Sequence, residues 1–154
     1  MSHEPLMNYF AAAPAATNAL VAFAKTAGAK LDRRLAELVN LRVSQINGCA
    51  FCMDMHSHDL LGQGVDPRAL ATLAGWREAR RFFSPRECAA LAWAESVNAI
   101  PNRVPSEEEF AALREHFKDS EIAELTLAIC AIRSFNALNA SFRTPVPEKP
   151  YTGA

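Results

Sequence analysis

Residues 35–64, LAELVNLRVSQINGCAFCMDMHSHDLLGQG, contain two helical patterns separated by a turn. Apolar residues recur at intervals of three and four, which is the spacing of an amphipathic helix. Asp32 precedes the first pattern as a plausible N-cap, and Asn47-Gly48 ends it as a typical helix stop. The cysteine-containing stretch then opens a second helix that runs to about Gly62. This part of the chain therefore predicts two consecutive helices.

The rest of the chain carries the same helical signature. Residues 17–29, TNALVAFAKTAGA, predict an earlier helix that ends near Gly28. Further helix starts are marked by N-cap residues, a proline in the first turn and two capping boxes: Asp66-Pro67, Ser84 with Glu87, Ser106 with Glu109, and Asp119. No alternating run of β-branched residues bounded by turn residues occurs in the sequence. The pattern predicts an all-α fold.

Length and composition indicate one domain without an obvious polyanionic partner. A chain of 154 residues can bury about 68–70% of its unfolded surface. We expect a single helical domain over residues 1–142, followed by a proline-rich tail, residues 143–154, that is extended or disordered. Sixteen basic and seventeen acidic residues give a net charge of −1, with no basic stripe for nucleic acid. No uninterrupted apolar segment reaches the roughly 18 residues of a membrane span.

The N-terminal apolar stretch is interrupted by Pro14 and Asn18 and is not preceded by Lys or Arg. It is therefore interpreted as an opening helix and not as a signal peptide. A cytoplasmic location follows as the expectation, and thiols stay mostly reduced in that compartment. A C-x-x-C pair there is more often redox-active or metal-binding than a structural disulfide.

A weak internal repeat suggests two related helical units. The triplet AEL at 36–38 recurs at 123–125, 87 positions later. The same offset pairs Cys49 with Asn136, Cys52 with Asn139 and His56 with Arg143. If the two units are copies, the second has amides where the first has thiols, so the chemistry belongs to the first.

Cys49, Cys52 and His56 follow one another at i, i+3 and i+7, which places them along one stripe of a helix. Thiols three positions apart at a helix start can form a disulfide with little strain. The helix N-terminus favours the thiolate form, and an imidazole one turn away can take the thiol proton. By position alone, Cys49 should feel the helix dipole more strongly than Cys52. His58 falls on a different face.

Two less reactive interpretations of the same residues stay open. The thiols can be inert core residues, or they can bind zinc together with His56, although a closed site needs a fourth ligand. That ligand would have to be recruited singly from His58, Cys88 or His116.

Two further cysteines and two glutamates have apolar neighbours in sequence. Cys88 and Cys130 have apolar neighbours in sequence and are predicted to be small core residues. Glu37 and Glu95 lie among apolar residues and could be solvated charges, ion-pair partners or proton acceptors.

Glu37, an eleven-residue gap and Cys49-x-x-Cys52-x-x-x-His56 together resemble the core motif of the AhpD-like alkylhydroperoxidases of the carboxymuconolactone decarboxylase superfamily. The resemblance spans roughly residues 18–142. Some members carry a histidine just before the second cysteine, where this chain has Phe51. The decarboxylase branch lacks the cysteine pair, which argues against lactone decarboxylation here.

The resemblance implies an AhpD-like helical bundle that assembles into trimers or hexamers. It implies a peroxidase in which Cys52 is the peroxidatic thiol, Cys49 the resolving thiol, and Glu37 with His56 the proton relay. The expected partners are a hydroperoxide substrate and a dithiol reductant or redox partner protein, with no cofactor or metal. Two alternatives remain: a protein disulfide oxidoreductase, and a zinc-stabilised module without turnover.

Overall fold

The computed structural model describes residues 4–151, which contain eight α-helices and no β-strand. The all-α prediction is confirmed. The helices are α1 (Tyr9–Ala12), α2 (Pro14–Thr26), α3 (Arg33–Asn47), α4 (Ala50–Gly62), α5 (Pro67–Thr72), α6 (Pro85–Asn98), α7 (Glu107–Arg114) and α8 (Asp119–Phe142). Two short 3-10 turns, Leu73–Gly75 and Arg80–Phe82, link α5 to α6.

Helix α3 is the central element and packs against α4, α6 and α8. Its apolar residues face two directions, so it contributes to two clusters of buried side chains. Leu35, Val39 and Val43 pack with the cysteine end of α4 and with α6 and α8. Leu38 and Leu41 pack with the end of α4 and with α5. The two clusters fix α4 against α3 and thereby fix the direction in which its first turn points.

The turn between α3 and α4 forms as its sequence predicts. Gly48 has φ 68°, a left-handed conformation that glycine adopts without the steric penalty of a side chain. It ends α3 and allows the next helix to begin immediately. Cys49 is the N-cap of α4, and Cys52 lies in the first turn. Both predicted capping boxes, Ser84 with Glu87 and Ser106 with Glu109, are confirmed.

The N-terminal part differs from the predicted single helix over 17–29. The chain forms α1 and α2 in succession, with a break at Ala13 before Pro14, and α2 ends at Thr26. Proline is favoured in the first turn of a helix, so Pro14 starts α2 three residues earlier than expected. The break turns α1 back toward α8, where the Leu6 backbone N–H donates to the Phe142 carbonyl at 2.9 Å.

Helix α8 is apolar on most of its surface and has the length of a membrane span, with mean hydropathy 1.2 over 18 residues. It contacts α2, α3, α4, α6 and α7, as the core helix of a bundle does. The prediction that Cys130 is a core residue is wrong, because Cys130 is exposed. It lies on the outer stripe of α8 with Leu127, while Ile129 and Ala131 take the buried faces. Cys88 is half-buried.

The described part of the tail, residues 143–151, contains no helix or strand. Thr144 N–H donates to the Asn139 carbonyl at 2.9 Å, so the tail turns back at the end of α8. Tyr151 reaches the first turn of α4, where its ring packs on that of Phe51 with centroids 5.8 Å apart. The predicted tail over 143–154 extends past the described residues, and its division from the domain stays a prediction.

Candidate active site

The two cysteines of the motif lie together at the start of α4. Their sulfur atoms are 2.6 Å apart, and Cys49 and Cys52 are 2% and 1% exposed. Both thiols are free. The Cys49 sulfur also accepts a bond from the Cys52 backbone N–H at 3.4 Å, as an N-cap side chain does. The pair can therefore close a disulfide within one helical turn.

Hydrogen bonds make the two thiols unequal in acidity. The Cys49 thiol donates to the Cys52 sulfur, and this bond is the main reason that the pKa of Cys52 falls from 9.0 to about 6. Burial opposes the shift, while Asn139, Asn136 and the charge of His56 support it. The pKa of Cys49 is raised, first because its proton is engaged by Cys52 and then by burial. Position relative to the helix end favoured Cys49, but the hydrogen bonds reverse that order.

Glu37 and His56 form a pair across α3 and α4, in which His56 is buried and Glu37 is half-buried. His56 Nδ1 lies 2.6 Å from Glu37 Oε2, with the two side chains 7% and 18% exposed. Because a carboxylate only accepts hydrogen bonds, Nδ1 carries the proton in this contact. The opposite ring atom, Nε2, is buried without a hydrogen-bond partner among residues 4–151. The imidazole is thus oriented from behind, with one nitrogen free for proton transfer.

The second unit of the internal repeat contacts the first at the Cys52 sulfur. Asn139 Nδ2 donates to Cys52 Sγ at 3.4 Å, and these two residues are 87 positions apart. Asn136 donates to Ser44 Oγ at 3.0 Å and accepts from Asn47 Nδ2 at 3.1 Å, at the end of α3. One residue pair of the internal repeat, Cys52 and Asn139, is therefore in direct contact. Helix α8 has no break equivalent to Gly48, so the second unit is one continuous helix.

A cavity of about 630 Å³ opens beside Cys52. Its walls are mostly apolar and aromatic, and its polar residues include the Glu37–His56 pair. Cys52 lines the cavity, whereas Cys49 lies behind it and does not. Phe51 contributes to the wall where the resemblance would allow a histidine. Cavities of this size and lining are typical of sites for small organic molecules.

Asp59, which was not among the predicted site residues, belongs to the same site. It lines the cavity. A carboxylate oxygen of Asp59, a carboxylate oxygen of Glu37 and a ring nitrogen of His56 lie within 4.8 Å of one another. Burial, followed by the charge of Glu37, raises the pKa of Asp59. Its position three residues after His56 continues the stripe of Cys52 and His56, and this spacing was the available signal. Two carboxylates and an imidazole could hold a cation, but the short Glu37–His56 contact already engages the Nδ1 nitrogen.

The structure does not bring a zinc site together around the cysteines among residues 4–151. Groups of three potential ligands within residues 4–151 do not include either motif cysteine. His58 is exposed on the outer face of α4. The fourth zinc ligand that His58, Cys88 or His116 would have supplied is thus not assembled around the cysteines in the described chain.

Glu95 has a structural environment. It accepts hydrogen bonds from Arg42 at 2.8 Å, Arg77 at 2.6 Å and the Trp76 indole at 3.0 Å. Burial would raise the pKa of Glu95, but these three donors lower it below the ordinary value. Glu95 therefore anchors α6 to its neighbours, in contrast to Glu37, which faces the cavity.

Comparisons with known proteins agree with this architecture. The sequence pattern of the carboxymuconolactone decarboxylase family matches residues 10–96. The chain is 34% identical over 134 residues to the uncharacterized protein YdfG of Bacillus subtilis, covering 86% of this chain and 90% of that protein.

Among solved structures, ATU0492 of Agrobacterium tumefaciens matches with a TM-score of 0.89 and 34% identity, over 95% of this chain and 100% of that one. It is a protein of unknown function for which the antioxidant defence protein AhpD has been suggested as identity. The debrominase Bmp8 bound to 2,3,4-tribromopyrrole matches with a TM-score of 0.78 at 19% identity, over 90% and 74% of the two chains. That second likeness is one of fold.

Proposed function

The chain belongs to the carboxymuconolactone decarboxylase family, and within it we propose that this protein is a thiol-dependent peroxidase that reduces hydroperoxides through Cys52 and Cys49. The observation that carries the proposal is the arrangement of the two sulfurs. Cys52 lines the cavity, and Cys49 lies 2.6 Å behind it, away from the cavity. A substrate in the cavity meets Cys52 first, and a resolving thiol waits on its other side.

The first step is attack of the Cys52 thiolate on the terminal peroxide oxygen. A sulfur–oxygen bond forms, the O–O bond breaks, and an alkoxide leaves. The proton that Cys52 gave up is held by His56 and passes from Nε2 to the alkoxide, giving an alcohol. Glu37 stabilises the imidazolium through the 2.6 Å contact at Nδ1. Cys52 is then a sulfenic acid.

The second step regenerates the thiols at the expense of an external reductant. The Cys49 sulfur attacks the Cys52 sulfur, the S–O bond breaks, and the departing hydroxide takes the Cys49 proton to leave as water. The disulfide is then reduced by exchange with a dithiol, which is itself oxidised to a disulfide. Because both sulfurs are almost fully buried, we expect a reductant slender enough to enter the cavity.

Burial also separates this function from the protein disulfide oxidoreductase alternative. A disulfide on a folded protein would have to reach a sulfur that is 1% exposed, whereas a hydroperoxide can enter through the cavity. We therefore expect turnover with cumene hydroperoxide and dithiothreitol to exceed turnover with a protein disulfide under the same reductant. Faster exchange with the protein disulfide would favour the alternative.

The decisive variant is Cys52→Ser, with Cys130→Ser as the matched control. Cys130 is exposed on the outer stripe of α8, so its loss should leave turnover unchanged. Loss of Cys52 should abolish consumption of cumene hydroperoxide. Full activity in Cys52→Ser would refute the proposal. Metal analysis of freshly reduced protein tests the remaining alternative, because stoichiometric zinc would favour a zinc-stabilised module.

We also propose that the chain forms a homo-oligomer, as the trimers or hexamers of the resemblance imply. Support comes from large apolar side chains left exposed, among them Leu6, Met7, Phe10, Phe23 and Leu127. Contiguous exposed apolar surface is characteristic of interaction sites. Light scattering should give a mass of at least three chains, and a monomer at micromolar concentration would contradict this.

A further inference from the structure

The amides of the second helical unit face the thiols of the first, and one of them touches the reactive sulfur. Asn139 is 4% exposed and donates its Nδ2–H to Cys52 Sγ at 3.4 Å. An amide side chain has a donor end and an acceptor end of nearly equal shape. Only the donor end stabilises a sulfur anion, so the value of Asn139 depends on which end faces Cys52.

Tyr9 determines that orientation. Its hydroxyl donates to Asn139 Oδ1 at 3.0 Å from the opposite side of the amide. Tyr9 is 5% exposed and is held by α1, whose position against the end of α8 is fixed by ring contact with Phe142. While Oδ1 accepts from the Tyr9 hydroxyl, the amide nitrogen faces the sulfur. A residue 130 positions away in sequence thus sets the polarity of the group beside Cys52.

The Tyr9 hydroxyl stays protonated under the conditions in which Cys52 ionises. Burial, followed by the negative charge of the Cys52 thiolate, raises the pKa of Tyr9 to about 12. Tyr9 therefore remains a hydrogen-bond donor when Cys52 becomes a thiolate. The three groups form a directed chain, from the Tyr9 hydroxyl through the Asn139 amide to the sulfur.

We propose that Asn139 is a further catalytic residue, which holds the Cys52 sulfur in its reactive anionic form, and that Tyr9 is the positioning residue that orients the amide. The role deepens the proposed peroxidase function, because it assigns the sulfur that reacts a fixed donor from the second unit. The role of Asn139 also explains why amides occupy the positions that the internal repeat pairs with the cysteines.

The test measures the acidity of Cys52 without any peroxide. Reduced protein is alkylated with iodoacetamide over a range of pH, and peptide fragmentation locates the label on Cys52. Asn139→Leu removes the donor, keeps the number and branching of the side-chain heavy atoms, and changes no titratable group. The titratable groups that act on Cys52 are Cys49, His56 and Tyr9. We expect the pKa of Cys52 to rise from about 6 to above about 7, with alkylation at pH 6 falling at least about fivefold.

Tyr9→Phe removes only the hydroxyl and should lower the same rate about threefold, because the amide can then turn. Tyr151→Phe is the matched control, since Tyr151 lines the same cavity but its hydroxyl has no hydrogen bond to the described residues. Circular dichroism tests whether each variant is folded. If Asn139→Leu does not fold, the result for Tyr9→Phe decides the matter.

An unchanged Cys52 profile in folded Asn139→Leu overturns the role of the amide, and an unchanged profile in Tyr9→Phe overturns the role of the tyrosine. An equal shift in Tyr151→Phe overturns both. Because alkylation needs no hydroperoxide, these outcomes are independent of peroxidase turnover, which the Cys52→Ser comparison tests separately.

Discussion

The hydrogen bond from the Cys49 thiol to the Cys52 sulfur leads to a prediction that separates the two roles of Cys49, as hydrogen-bond donor and as resolving thiol. Cys49→Ala removes both roles. Cys49→Ser removes the resolving sulfur but keeps an O–H donor at the same position. Any difference between the two variants therefore reports the hydrogen bonds of the residue 49 side chain, which donates to the Cys52 sulfur and accepts from the Cys52 backbone N–H as the N-cap of α4.

The magnitude follows from the acidity of Cys52. Its pKa lies about three pH units below 9.0, which corresponds to about 4 kcal/mol in favour of the thiolate. A hydrogen bond to a charged acceptor contributes about 1.5–3 kcal/mol of this. Its loss should raise the pKa of Cys52 from about 6 to about 7–8. At pH 6 the thiolate fraction then falls from about one half to about 1–10%.

Alkylation of Cys52 at pH 6 should therefore slow about 5- to 50-fold in Cys49→Ala and change little in Cys49→Ser. The assay is the same site-resolved reaction with iodoacetamide, which needs no turnover. The reasoning fails if Cys49→Ala keeps the wild-type pH profile, or if Cys49→Ser loses it to the same extent.

Three other predictions concern stability, the relay and the cavity. The folded pKa of Cys52, about 6, lies below its unfolded value of 9.0. The contribution of Cys52 ionisation to stability is therefore complete above about pH 9 and is lost as pH falls through about 6. In chemical denaturation between these two pH values, the wild type should gain about 1.4 kcal/mol of stability per pH unit relative to Cys52→Ser. Glu37→Gln should lower kcat/KM for cumene hydroperoxide by at least about tenfold. Glu124→Gln, at the position that the internal repeat pairs with Glu37, should not lower it, because Glu124 contacts the Gly28 backbone N–H instead. Equal losses in the two variants would contradict a relay role for Glu37. Ala24→Trp, at a half-buried position of the cavity wall, should raise KM for cumene hydroperoxide but not for hydrogen peroxide; an equal effect on both would argue that substrates do not use the cavity.

Local signals predicted the elements that carry the site. Asn47-Gly48 ends α3, and Cys49 opens α4, because glycine reaches the left-handed region and an N-cap side chain can accept a backbone hydrogen bond. The i, i+3, i+7 spacing of Cys49, Cys52 and His56 follows from the helix repeat alone. These features depend on neighbouring residues, so the sequence displays them.

Long-range contacts were beyond the same reasoning. The pairing of Glu37 with His56 was available only through family resemblance, since nothing local joins α3 to α4 at that point. Tyr9 and Asn139 are 130 residues apart, and their contact depends on how α1 docks against α8. Helix position, which favours ionisation of Cys49, could not determine the relative acidity of the thiols, because the hydrogen bond from Cys49 to Cys52 outweighs the helix dipole. Cys130 was misassigned because apolar neighbours in sequence occupy other faces of α8.

The most direct test of the central claim is peptide mapping after a single turnover. Reduced protein is mixed with one equivalent of cumene hydroperoxide, quenched by alkylation and digested without reductant. We expect one Cys49–Cys52 disulfide per hydroperoxide consumed, with Cys88 and Cys130 recovered as alkylated thiols. Hydroperoxide consumed without that disulfide, or a disulfide involving Cys88 or Cys130, would contradict the assignment of the reaction to this pair.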